Sequence, residues 1–241
     1  GIDNEIEILS AQDLATQAVI DMKCYVNYYH KGTFKDQLVY KEQEVNVDLD
    51  LAHLKKLNAP IKLKIEKDGN QYLVTGSYYI PVDAFSSQKE PVKIEKTLAS
   101  LPASINTRVG TLHFTQNGKY ALKDGESLKV IIVSPEMAAK GYTKALAVSQ
   151  TSKTTTIAEL VLKDEDPQRS IDYLNTLIKV YNRQANEDKN EISFRTEQFI
   201  NQRLEKINNE LGNTEGQLES YKKRNNVVEM KLNATAAIAN S

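Results

Sequence analysis

Few residues in this chain are of the types that carry chemistry, and their spacing decides what each could do. His30, His53 and His113 are the potential metal ligands. They stand far apart, with no cysteine and no paired carboxylates at ligand spacing, so surface histidines are the simpler reading. Asp164, Glu165 and Asp166 form a run of carboxylates, the residue type that general acid–base catalysis uses. They directly precede Pro167 and a helical pattern, where the helix dipole favours negative charge, so capping is the stronger reading. Phosphate binding of the P-loop kind needs Gly-Lys-Ser/Thr after a glycine-rich loop, and the chain contains none. Gly-x-Ser-x-Gly is absent too, and no Ser or Cys sits in a nucleophile turn. Cys24 is the single cysteine; it cannot form an intrachain disulfide and reads as a small core residue. Tyr25, Tyr28, Tyr29 and the pair Tyr78-Tyr79 could stack on sugars, but half-buried strands use the same residues. The residues therefore assign no catalytic group, no cofactor and no metal.

What remains is a surface. From Asp166 to about Arg224 the chain reads as one very long helix. Asp166 is its N-cap and Pro167 its first helical residue, where no backbone N–H is missed. Ile171, Leu174, Ile178, Tyr181, Ala185, Ile192 and Phe199 fall on a three-four spacing. A second run, Ile200, Leu204, Ile207, Leu211, Leu218 and Tyr221, keeps that spacing from one residue later. Each run is a seven-residue repeat and gives one apolar stripe. The slip at Phe199/Ile200 implies a change of partner. Leu174 and Ile178 are expected to pack on the sheet. The second run is the candidate oligomer interface. Asp188, Arg195 and Thr214 interrupt the stripes. A helical hairpin broken near Gly212 is the alternative, with Thr214 and Gln217 as a capping box. The unbroken phase from Leu211 through Leu218 favours a single helix. About 59 residues at ~1.5 Å each span roughly 88 Å, more than a compact core can cover.

The rest of the chain bounds what positions this helix. It has 241 residues, 26% of them charged, 40% hydrophobic, with a net charge of −1. This suits one domain with a real core and gives no reason to expect nucleic acid. No stretch is long and apolar enough to cross a membrane, and no signal peptide is present. Residues 3–23 read as helix, with a second helix possible after the capping signal of Ser10 and Asp13. Residues 24–30 and Gln37–Tyr40 read as strands, separated by a turn at Lys31-Gly32-Thr33. The middle, about 41–131, reads as all-β. Ile61, Leu63 and Ile65 alternate with lysines, Asp68-Gly69-Asn70 turns the chain, and Gln71 to Ile80 returns. Residues 83–106 are polar and weakly patterned and read as a loop. Val109–Phe114 and Leu128–Val133 are strands, the latter buried. Ser134-Pro135-Glu136 starts a short helix that ends at Gly141. Lys144–Gln150 and Thr155–Leu162 are strands leading into the long helix. The expected fold is α+β: an antiparallel or mixed sheet, N-terminal helices and a very long C-terminal helix.

Both ends of the chain also resemble a known family. Residues 4–14, Asn-Glu-Ile-Glu-Ile-Leu-Ser-Ala-Gln-Asp-Leu, and those following through Tyr28-Tyr29 look like the opening of the membrane-proximal domain in Wzz-type chain-length determinants. The strand from Lys153 to Asp164, then Asp166-Pro167-Gln168-Arg169 and Ile171 to Asn175, is similar to the same family. So are Phe199 to Leu204, Leu218 to Lys222, and Asn225. These are polysaccharide co-polymerases, which include the periplasmic parts of bacterial tyrosine autokinases. The likeness covers about 1–40 and 130–228, and 41–130 departs from it as a β-rich insertion. It implies a membrane-proximal domain over 1–165, the long helix over 166–224 and a flexible return segment over 225–241. It implies the periplasmic part of a bacterial inner-membrane protein, with transmembrane helices on both sides of this region. It also implies a non-enzymatic role: homo-oligomers beside a polymerase or exporter that set the length of exopolysaccharide, capsule or O-antigen, touching the growing glycan. A coiled-coil periplasmic adaptor of an efflux or secretion system, which needs two antiparallel long helices, is one alternative. A carbohydrate-binding module using Tyr78-Tyr79 is the other.

Overall fold

The computed structural model describes residues 1–154 and 156–239, without the side chains of residues 227, 228 and 237. The chain forms two units, Gly1–Asn182 and Arg183–Ser241. Two helices open the first unit: α1, Ile2–Leu9, and α2, Gln12–Met22. Then come β1, Val26–His30, β2, Gln37–Val39, β3, Val45–Asp48, and the single turn α3, Leu51–Leu54. They are followed by β4, Ile61–Asp68, β5, Gln71–Tyr78, β6, Val92–Leu98, β7, Ala103–Thr107, β8, Gly110–Gln116, and β9, Ser127–Ile132. Helix α4, Pro135–Ala145, leads to β10, Leu146–Gln150, and β11, Ala158–Leu162. Helix α5, Pro167–Ala239, completes the described chain. The fold is α+β, with antiparallel sheets, N-terminal helices and one long C-terminal helix, as the sequence predicts.

Six strands form the main sheet in the order β2-β1-β9-β4-β5-β6, and β3-β8-β7 form a second. A ribbon of β10 and β11 stands apart in hydrogen bonding. The period-2 alternation of β4 puts Ile61, Leu63 and Ile65 on the core face, opposite Ile132, Val130 and Leu128 of β9, and all six are buried. Leu14, Ala15, Ala18 and Val19 of α2 join that core. So do Val45 and Val47 of β3 and Leu112 and Phe114 of β8. Burying each large apolar side chain contributes about 1.5–3 kcal/mol. The two-residue turn between β4 and β5 forms as expected: Asp68 pairs with Gln71, and Gly69 adopts φ 61°. Gly76 of β5 meets a tighter limit. A Cβ there would lie 2.0 Å from the Lys62 carbonyl oxygen on β4. Gly76→Ala must push two paired strands apart and is expected to cost roughly 1–3 kcal/mol in chemical denaturation. An unchanged midpoint would show that the β4/β5 pairing is looser than this.

Several boundaries differ from the sequence expectations. Residues 83–106 are not a loop, because β6 and β7 occupy 92–98 and 103–107. Both lie at sheet edges, where half the strand faces water and polar residues, Lys93 and Lys96 in β6 and Ser104 and Asn106 in β7, interrupt the apolar alternation. Ser10 does not cap α2, whose N-cap is Ala11; its hydroxyl donates back to the Ile6 carbonyl at 2.8 Å. Ser134 does cap α4, accepting from the Met137 N–H at 3.2 Å, but the helix runs through Gly141 to Ala145. Strand β10 accordingly starts at Leu146 and β11 at Ala158, while Thr155 lies outside the described residues. Strands β4, β5, β6 and β9, drawn from 41–132, share one sheet with β1 and β2, and the first unit extends to Asn182.

Helix α5 starts where expected. Asp166 Oδ1 accepts from the Arg169 N–H at 2.9 Å, with Pro167 as first helical residue. The helix is not broken at Gly212, and it does not stop near 224. It continues to Ala239, so 225–239 is helical and not a return segment. The residues there include Glu229, Met230, Lys231, Leu232 and Ala234, with no Gly or Pro to end a helix. The buried face within the first unit is also rotated from the expected stripe. Tyr173, Leu177 and Val180 are fully buried, Leu174 is half-buried against them, and Ile171 and Ile178 are exposed. Each residue turns a helix by about 100°, so spacing gives the period and leaves the phase open. Tyr173 sets the phase here, stacking on Tyr142 of α4 with ring centroids 4.2 Å apart.

Candidate functional site

The groups that could carry chemistry lie apart in the first unit. His30 Nε2 meets Glu44 Oε1 at 2.7 Å, His53 Nδ1 meets Asp50 Oδ1 at 2.6 Å, and His113 Nδ1 meets Ser104 Oγ at 3.0 Å. Among the described residues no three His, Cys, Asp or Glu side chains converge to hold a metal ion. The acidic run divides its labour. Asp166 caps α5, while Asp164 receives both prongs of Arg169, Nε at 2.7 Å and Nη2 at 2.6 Å. Arg169 Nη1 also donates to Asn27 of β1 at 2.9 Å, tying the start of α5 to the main sheet. Burial disfavours the charged guanidinium, but the hydrogen-bonded Asp164 outweighs it and raises the Arg169 pKa.

Tyr25, Tyr28, Tyr40 and Cys24 are held away from reaction near neutral pH. Burial pushes Tyr28 up to about 12 and raises Cys24. Burial, then the Asp48 carboxylate, raises Tyr25; burial, then the hydrogen-bonded Asp172, raises Tyr40. A cavity of about 450 Å³ is lined by Cys24, Tyr28, Tyr40 and His113, among others, but its cations are already engaged. Lys23 pairs with Asp48 at 2.8 Å, Lys41 with Asp172 at 3.0 Å, and Arg169 with Asp164. Tyr78 is buried, with its hydroxyl accepting from the Arg108 N–H at 3.1 Å, so it presents no ring to a sugar. Tyr79 is half-buried.

The second unit carries the other candidate. Ile200, Leu204, Ile207, Leu211, Leu218 and Tyr221 lie along one stripe of α5, each between 49% and 59% exposed. The one interruption, Thr214, turns its hydroxyl back onto the Glu210 carbonyl at 2.8 Å, leaving its methyl for the stripe. Charged side chains of α5 form i,i+4 pairs, Arg195 with Glu191 ahead of the stripe and Lys223 with Glu219 at its end. Such pairs give a few tenths of a kcal/mol each. Sequence reasoning missed Leu232, fourteen residues beyond Leu218 on the same repeat and 63% exposed. The seven-residue period itself carries that signal and continues past 224, where the sequence expectation ends the helix. Gly212 and Gly216 each cost a solitary helix about 1 kcal/mol, and long polar helices draw most of their stability from packing. The stripe therefore has the chemistry of an association surface. Among the described residues, no helix is long and apolar enough to cross a membrane. No family model matches the chain, and no curated protein does.

Proposed function

We propose that this chain is the periplasmic, non-enzymatic part of a polysaccharide co-polymerase, which sets polymer length by assembling copies of itself at the bacterial inner membrane. The observation that carries the reading is the exposed stripe Ile200 to Tyr221 on one continuous helix. The likeness of Asp166-Pro167-Gln168-Arg169 and of Phe199 to Leu204 to chain-length determinants supplies the polysaccharide half. The partners are a second copy of the chain, a polymerase or exporter in the membrane, and the growing glycan. An adaptor built on a long antiparallel helix pair fits less well, since every other helix among the described residues has 11 residues or fewer.

The test replaces Ile207 or Leu211 with Asp in the membrane-anchored protein and reads the length distribution of the polymer. Both positions are exposed, so folding stability should change by less than about 0.5 kcal/mol. The expected result is a normally folded protein at normal level whose polymer has lost its preferred length. An unaltered distribution in a variant that no longer associates would remove the proposal.

A further inference from the structure

A groove on the outer face of the main sheet takes no part in the stripe of α5. It encloses about 400 Å³ and is lined by Lys31, Lys62, Lys64 and Lys129, with Asp36 its one carboxylate among the described residues. Its place follows from the pleat. Ile61, Leu63 and Ile65 turn into the core, so Lys62 and Lys64 between them face outward. Thr75 and Ser77 of β5 stand directly opposite Lys64 and Lys62, and Lys129 of β9 stands opposite Lys64 on the other side. The segment 31–36 between β1 and β2 contributes one wall through Lys31 and Asp36, and Asp36 ties it to the sheet by meeting Lys129 at 3.0 Å.

The protein leaves much of this groove unsatisfied. Lys64 pairs with Glu66, outside the lining, at 3.2 Å, but Lys31 and Lys62 have no carboxylate partner among the described residues. The hydroxyls of Thr75, Ser77 and Ser127 in the lining make no hydrogen bond among the described residues. Lys64 opposite Lys129 is a like-charge cross-strand pair, which works against strand pairing. A carboxylate seated between them relieves that repulsion. The spacing selects the kind of anion. Lys62 and Lys64 are two residues apart on one strand, about 7 Å, and Lys129 lies on the next strand. Charges so spread suit carboxylates distributed along a polymer better than one phosphate group. Lysine is a point charge that makes no demand for the paired geometry arginine imposes. The unengaged hydroxyls suit sugar hydroxyls between those charges. A bilayer meets cations on a protruding surface, whereas these line a recess that a single polymer chain can enter. We infer that this groove holds one chain of an acidic, uronate-bearing polysaccharide, its carboxylates on the four lysines and its hydroxyls on Thr75 and Ser77. The inference rests on the polysaccharide reading of the chain for its polymer, and on the groove for the polymer's charge.

The test titrates the whole chain with an oligogalacturonate and with a neutral dextran oligomer of the same length. The expected result is binding of the oligogalacturonate alone, weakening as salt is raised. Lys31→Gln with Lys62→Gln removes the two unpaired, exposed cations and no ion pair, so the thermal midpoint should hold. Affinity should fall roughly threefold to tenfold. Lys55→Gln with Lys56→Gln makes the same change of net charge away from the groove and should leave affinity unchanged. Equal losses in the two double variants, equal affinity for dextran, or no uronate binding would each overturn the inference. Phosphatidylglycerol vesicles are the rival probe, because Phe34 in the same wall is fully exposed. A chain that binds these vesicles through Phe34 and ignores the oligogalacturonate also overturns it. Failure here is distinguishable from failure of the co-polymerase proposal. No uronate binding in a chain whose Ile207→Asp variant loses polymer length control removes only the groove. Uronate binding in a chain whose non-associating variants leave polymer length unaltered removes only the co-polymerase role.

Discussion

Leu177→Asp is expected to unfold the first unit, whereas Ile178→Asp, one residue along the same helix, leaves it folded. Leu177 is fully buried between Tyr173 and Val180 on α5 and belongs to the main core. An aspartate there removes the apolar packing and places a carboxylate in a fully buried position. The cost is on the order of 4 kcal/mol or more, in the far tail of single substitutions and a large fraction of a typical 5–15 kcal/mol stability. Ile178 is 40% exposed, so a carboxylate there stays hydrated and the cost falls to about 1 kcal/mol. Chemical denaturation followed by near-UV circular dichroism of the tyrosines separates the two. Equal losses would mean that α5 presents a different face to the core.

Arg169→Met is the second large effect. The side chains of Arg169 and Asp164 are 14% and 8% exposed, and the guanidinium satisfies both carboxylate oxygens as well as Asn27. Removing the cation strands a nearly buried carboxylate, which is expected to cost about 3–5 kcal/mol. Much of that is the penalty of the stranded charge and not the worth of the pair. The double replacement Arg169→Met with Asp164→Leu should therefore recover most of the loss. A double variant as unstable as the single one would show that the network, through Asn27, holds the helix start in place by more than charge neutralisation. The pair also gives a physical role to Arg169 within the Asp166-Pro167-Gln168-Arg169 motif. That role is structural: it fastens the first turn of α5 to β1.

Where local rules are strong, the chain could be read directly. Asp166-Pro167 starts α5 because a capping carboxylate and a ring with fixed φ need nothing from elsewhere in the fold. Ser134-Pro135 starts α4 for the same reason, and Asp68-Gly69-Asn70 closes the β4–β5 hairpin because Gly69 accepts a positive φ. Strand β9 was legible as a strand, though only one of its faces is buried: Leu128, Val130 and Ile132 lie in the core, while Lys129 is exposed and Ile131 half-buried. Strands β6 and β7 were not. Lys93, Lys96 and Asn106 are compatible with loop or edge strand alike, and only the unpaired edges of β5 and β8 turn them into strands.

The long helix divides the same way. Sequence alone determined that α5 exists, that it begins at Pro167, and that Ile200 to Tyr221 share one stripe, because a seven-residue period is a property of the chain by itself. It also determined that no constellation of catalytic type is spelled out in the usual motifs. Only the tertiary structure decided which face of the first turns is buried, because phase depends on what Tyr173 stacks against and not on its neighbours in sequence. It alone decided that Asp164 belongs to Arg169 while Asp166 belongs to the helix end, since adjacent carboxylates of like chemistry are told apart only by the geometry of their partners.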